Sequence, residues 1–299
     1  MKNRGLIYQA WFQVLGLSLV LFLVSEQALR ITGNRNFAPT VVLLGAFAIP
    51  AAVVAYFNSR EHKADAKTHT LPQPVLVACF VVGGVLGIVA AGIVEFAVLR
   101  TMALPVMFAV GLIEEGAKLI VPLALLLRWH YTSESDGLLF GVSAGMGFAA
   151  LETAGYGLVA LIDSKGNVGA MEQVLLFRGL ISPFGHAAWT GLVCAALWRS
   201  RARTGALFTW PVVWTFILVV FLHAMWNAGS FFLKDWNLLI AYLLVGGTSS
   251  ILLYMEMRRA VKSPPSADEP ESIALSEVRQ GSAVSSLRNP AVREETQRL

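Results

Sequence analysis

Apolar residues run along this chain in long blocks, and polar residues fall mostly in the short gaps between them. A bilayer offers the backbone no hydrogen-bond partner, so a block of roughly 20 apolar residues spans it as a helix that pairs every amide internally. The blocks predict spans over residues 6–29, 40–57, 75–99, 104–128, 137–162, 172–197, 208–230 and 237–256. The expected fold is all-α, a polytopic transmembrane helical bundle of about eight helices occupying residues 1–256. From residue 257 the sequence turns to Ser, Pro, Glu, Arg and Gln with few large apolar residues. Such a segment buries too little surface to offset the entropy of ordering, and 257–299 is expected to be a disordered cytoplasmic tail.

Charge refines this picture. Lys2 and Arg4 precede the first block as they would in a signal peptide. The block is too long for a signal core and ends without a small-residue cleavage site, so it is read as a retained helix. With a cytoplasmic N-terminus, the inner side collects Lys2, Arg4, Arg128, the basic loops 58–74 and 199–205, and Arg258, Arg259 and Lys262. The outer side keeps only Arg30, Arg35, Arg100, Lys165 and Lys234. That asymmetry places both termini inside. The formal charge of +4 therefore reads as membrane topology, and no nucleic-acid partner is expected. Cys79 and Cys194 both fall within apolar blocks, where a free thiol acts as a small hydrophobe, so no disulfide framework or thiolate zinc site is indicated.

The informative residues are polar ones inside the blocks. An ionised group near the bilayer centre costs roughly 2.5–3.5 kcal/mol on insertion scales, so several together must face a protein interior. The fourth block carries Glu114, Glu115 and Lys118. At helical spacing the ammonium can neutralise one acid while the other, about 100° around the helix, points elsewhere. The fifth block carries Glu152 with no cation of its own, so its partner is expected on another span. In the sixth, Pro183 and Gly185 precede His186 and predict a kink where the imidazole emerges. Arg178, about two turns earlier, can pair with Glu152 or Glu172, or orient a substrate backbone. His223 and Asn227 share one face of the seventh block. A buried ion pair or an interhelical hydrogen bond accounts for any one of these groups alone. Their occurrence on four consecutive spans, at depths that share one level, points to a single cavity.

The order Glu114-Glu115-x-x-Lys118, Phe148-x-x-x-Glu152, His186 followed by Trp189-Thr190, and His223-x-x-x-Asn227 resembles the PrsW family of intramembrane proteases. That family is distantly similar to the CAAX prenyl proteases. The resemblance covers residues 104 to 230 and implies a membrane-embedded peptidase, in a bacterial plasma membrane, whose best-known member makes the first cut in an anti-sigma factor. It makes Glu114 and Glu115 the essential acids and completes the site with Glu152, His186, His223 and Asn227. Its partners would be membrane-protein substrates, single-span chains among them, and the lipid bilayer. The resemblance leaves two mechanisms open, one using a divalent metal such as zinc and one dependent on glutamate; the soluble zinc-peptidase motif His-Glu-x-x-His is absent.

Peptide hydrolysis needs a base for water, donors for the oxyanion and an acid for the leaving amine. Glu114 or Glu115 can act as the base. His186 and His223 can share proton transfer or ligate a metal with Glu152, and the Asn227 amide can donate to the oxyanion. Lys118 completes the set as the counter-charge. The rival class is a secondary transporter or an ion or proton channel, which also uses intramembrane acids and histidines. No inverted repeat is visible, and the polar positions concentrate in four spans. A third class, a non-catalytic membrane chaperone or receptor, would be expected to have lost Glu114, Glu115 or His223.

Overall fold

The computed structural model describes residues 6–64, 71–98, 106–128 and 131–260. These contain no strand; the α-helices are α1 (Ala10–Thr32), α2 (Ala38–Ala64), α3 (Gln73–Val98), α4 (Val106–Lys118), α5 (Ile120–Leu127), α6 (Glu134–Asp163), α7 (Val168–Thr204), α8 (Trp210–Phe232) and α9 (Asp235–Ala260). Seven are long and apolar enough to cross a membrane. The remaining expected span, the fourth at 104–128, is split into α4 and α5 at Leu119. Pro122 is the cause: it has no N–H to give the Lys118 carbonyl, and its ring crowds that group. The chain adapts with a tight Leu119 N–H bond to the Gly116 carbonyl, then resumes with Leu123 bonding Leu119.

The connections are short and their ends are capped. Ser133 and Asp136 form a capping box at the start of α6, and the Asn167 side chain caps α7. Gly205 closes α7 with φ 72°, a left-handed conformation that a side chain would strain. α9 continues to Ala260, a turn past the boundary expected at 256, with Arg258 and Arg259 in its last turn, where cations complement the helix dipole. The rest of the expected tail, 261–299, lies outside the described residues, as do the Lys2, Arg4, Lys67, Arg100 and Lys262 of the topology argument.

α6 and α7 are the most enclosed helices. They meet along Gly137, Gly141 and Gly145, spaced one turn apart on α6. A Cβ on Gly145 would lie 2.2 Å from the His186 carbonyl oxygen, and one on Gly141 2.5 Å from that of Thr190. On its other face α6 touches α3 as closely, since a Cβ on Gly147 would lie 1.9 Å from the Phe80 carbonyl oxygen. Main chain thus meets main chain on both sides of α6. Van der Waals contact at this range is what drives helix association when lipid tails are as apolar as the side chains. Buried Trp189, Trp198, Phe140 and Phe148 fill the space around the contact. Cys79 and Cys194 are free and buried, as their apolar setting implied.

The outer faces are apolar. Leu17, Val20 and Val24 on α1, Val81, Val85 and Val89 on α3, and Leu243 and Leu244 on α9 all stand exposed. A water-soluble bundle would show a polar face here; a multi-pass membrane protein shows this one. Two ionic links tie the bundle near its two ends. Arg199 on α7 joins Glu134 on α6 and Glu256 on α9, while Arg30 on α1 joins Glu26 of its own helix and Glu172 of α7.

Candidate active site

Between α3, α4, α6, α7 and α8 the structure gathers the polar residues that the blocks carried. Lys118 is fully buried. Its Nζ lies 2.6 Å from Glu115 Oε1 and 3.2 Å from Glu114 Oε2, and 4.2 Å from the centre of the Phe148 ring. One ammonium therefore bridges both acids, where a division into one neutralised and one free carboxylate was expected. The two acids still differ. Glu115 is closed off by Lys118, by His223 Nδ1 at 2.8 Å and by the Thr190 hydroxyl at 3.3 Å. Glu114 faces the opposite group: one oxygen each of Glu114 and Glu152 and a ring nitrogen of His186 lie within 4.8 Å of one another.

Glu152 finds its partners on α7, as its lack of a local cation required. Arg178 NH2 is 2.9 Å from Glu152 Oε2, and His186 Nε2 is 3.4 Å from the same oxygen. Arg178 also lies over the Tyr156 ring at 4.1 Å. Glu172, the other partner considered for Arg178, pairs with Arg30. α7 passes through Pro183 as one helix from Val168 to Thr204; Pro183 leaves the Gly179 carbonyl without its helical donor and Gly185 makes room for the Trp189 ring, which a Cβ would meet at 2.7 Å.

Trp189 organises the histidines. Its ring stacks on His223 with centroids 4.6 Å apart, and its Nε1 donates to Ser249 Oγ at 3.0 Å. His186 and His223 meet edge to face at 5.9 Å. Because a carboxylate only accepts, His223 Nδ1 carries the proton toward Glu115, which leaves Nε2 as the free nitrogen, 3.7 Å from Glu114 Oε2. Asn227 stands one turn along α8 from His223, half-buried, and its side chain makes no hydrogen bond to a described residue. Glu114, Glu115, Lys118, Glu152, His186 and His223 thus form one linked cluster, and Asn227 borders it.

A family model described as PrsW family intramembrane metalloprotease matches residues 71–255. The chain belongs to that family. It is a membrane-embedded protease, and the transporter and receptor readings give way to a hydrolase. No curated protein and no solved structure matches it. PrsW proteases are described as metalloproteases, which suggests a metal. The donor set suits one: two carboxylates and an imidazole fit a borderline divalent cation. Bonds of 2.0–2.2 Å in a tetrahedral site put neighbouring ligand atoms about 3.4 Å apart, the spacing of His186 Nε2 and Glu152 Oε2. The three site acids outnumber Lys118 and Arg178.

The sequence pattern quoted Phe148, Trp189 and Thr190 without giving them roles. Phe148 lies against the lysine, Trp189 fixes the imidazole, and Thr190 holds the second oxygen of Glu115. Their only signal was position within the family's short motifs.

Proposed function

We propose that this PrsW-family protein is an endopeptidase that cuts membrane-protein substrates, single-span chains among them, within or near the outer half of the bilayer. Glu114, Glu115, Lys118, Glu152, His186, His223 and Asn227 make up its site. The observation that carries the reading is the junction of two units around Lys118: the Glu115–His223 pair, and the convergent Glu114, Glu152 and His186.

Glu115 holds His223 through Nδ1 in the manner of a carboxylate orienting a catalytic imidazole, and Nε2 is left to exchange a proton with the substrate. In hydrolysis His223 Nε2 takes a proton from the attacking water, whose oxygen bonds the carbonyl carbon. The same nitrogen then gives the proton to the amine as the C–N bond breaks. Asn227 donates to the developing oxyanion, and Lys118 offsets the charge of the paired acids. Glu114, Glu152 and His186 would hold a divalent cation such as zinc, which leaves His223 Nε2 free for the proton. When bound, the cation supplies a Lewis acid that polarises the scissile carbonyl.

Residues 1–256 would form the peptidase domain in a bacterial plasma membrane, with both termini and the tail 257–299 inside. Regulated cleavage of an anti-sigma factor would be its physiological role by analogy with the best-known member of the family. The test is cleavage of single-span substrates in liposomes by wild type, Glu115→Gln and His223→Ala, each shown to fold, with and without a chelator. Loss of on the order of 100-fold in kcat/KM is expected in both variants, and abolition by the chelator with recovery on adding zinc. Folded variants that cleave at the wild-type rate would exclude these roles, and activity indifferent to chelation would exclude the metal.

A further inference from the structure

One acid of the membrane region takes no part in this scheme. Glu95 lies near the Val98 end of α3, the end expected outside, and is only half-exposed. Its Oε1 is buried with no hydrogen-bond partner, and it forms no ion pair with a described residue. An acid at a lipid interface would simply reach water. This one is turned inward.

The register of α3 on α4 shows where. A Cβ on Gly87 would meet the Phe148 ring at 3.1 Å, the Ala117 carbonyl at 3.7 Å and Lys118 Cα at 3.8 Å, so this point of α3 lies level with Lys118. Ala91, one turn on, is buried against Ala117 and Phe148. Glu95 follows one turn later on the same stripe. At 1.5 Å per residue it is about 12 Å along α3 from Gly87, whereas Glu114 is about 6 Å along α4 from Lys118. Because α4 runs back past α3, Glu95 stands about one turn beyond Glu114 toward the outer mouth of the cluster. Glu114, Glu152, Lys118 and His223 all lie within its electrostatic reach, and Tyr156 feels both Glu95 and Glu152.

Both cations near it among the described residues are already engaged. Lys118 bridges Glu114 and Glu115, and Arg178 pairs with Glu152 over the Tyr156 ring. Glu95 is also outside the Glu114, Glu152 and His186 group that suits a metal. A carboxyl group beside other carboxylates, with no cation of its own among the described residues, is complementary to positive charge that arrives from elsewhere. At the mouth of a peptidase site, what arrives is the substrate chain.

Building on the proposed peptidase function, we infer that Glu95 is a specificity determinant that receives a lysine or arginine side chain of the substrate on the outer side of the scissile bond. The experiment uses single-span substrates in liposomes that are identical except for Lys, Gln or Glu at successive positions on that side. Wild type, Glu95→Gln, Glu95→Lys and Glu115→Gln are compared. Wild type is expected to favour Lys over Gln at one position by roughly tenfold in kcat/KM, mainly through KM, the size of one charge-assisted contact. Glu95→Gln brings that ratio to about one, and Glu95→Lys turns the preference toward Glu. Wild type indifferent to the substitution at every position would overturn the inference, as would Glu95→Gln that keeps the preference or slows Lys and Gln substrates equally. Those results, with cleavage still lost in Glu115→Gln, would leave the peptidase reading intact. Cleavage undiminished in folded Glu115→Gln would instead remove that reading and this inference with it.

Discussion

Lys118 occupies a position that an isolated lysine could not hold. It is enclosed by two carboxylates and an aromatic face, so its desolvation is offset only while all three stay in place. Replacing it with Met leaves Glu114 and Glu115 buried one residue apart with no cation. Lys118→Met is therefore expected to destabilise the protein by about 3–5 kcal/mol, the range for breaking an enclosed pair. Adding Glu115→Gln removes one of the stranded charges, so the double variant should melt above Lys118→Met yet stay inactive, as thermal unfolding in detergent and a cleavage assay would show. Recovery of activity in the double variant would mean that Glu115 does nothing beyond balancing charge. This residue-level chemistry was readable in the sequence, because helical spacing alone put Lys118 within reach of Glu114 and Glu115. That it reaches both was not readable: the choice depends on His223 and Thr190, which arrive from helices far away in the chain.

Among the elements, the spans were legible and their interruptions less so. Runs of apolar residues marked every span, because lipid admits no other backbone, but α2 and α7 continue well past their expected ends at 57 and 197, to Ala64 and Thr204. Pro122 was visible too, but apolar residues on both sides of it hid the break between α4 and α5. The α6–α7 seam illustrates what periodicity cannot give. Glycines at 137, 141 and 145 recur at helical spacing, yet only the structure tells which helix they admit and how close it comes. Gly145→Ala would drive a methyl group into the His186 carbonyl. The expected cost is about 1–3 kcal/mol, the usual range for overpacking, with a fall in kcat larger than the fall in stability explains because the imidazole moves with its backbone. Gly155 has open space around it, so Gly155→Ala serves as the control and should melt like wild type. Equal kcat for folded Gly145→Ala and wild type would show that the seam does not position His186.

For the whole molecule, the link formed by Arg199, Glu134 and Glu256 joins α6, α7 and α9 at the end expected to face the cytoplasm. Arg199→Ala would remove the cation that joins Glu134 to Glu256, leaving α9 held to α7 by packing and by the Trp189–Ser249 hydrogen bond. A loss of about 1–3 kcal/mol is expected, below the figure for a fully enclosed pair because the site is partly wet. It should appear as a lower melting temperature with unchanged kcat at low temperature; a lower kcat at equal melting temperature would instead tie this end to the active site. The sequence showed Arg199 only as one of several basic loop residues that set topology. Its place in a three-helix link depended on α7 continuing to Thr204, several residues past the expected end of its span.

The contact between Gly145 and the His186 carbonyl has a consequence for how such a protein can change over generations. Backbone atoms, which are the same in every amino acid, set the separation of the two helices there. Side chains away from this seam, Glu95 among them, can then be exchanged without shifting the imidazole. A lineage of such proteases is free to drift toward new targets while the seam keeps the chemistry in register. Gly141 and Gly145, each set against a carbonyl of α7, have no such freedom.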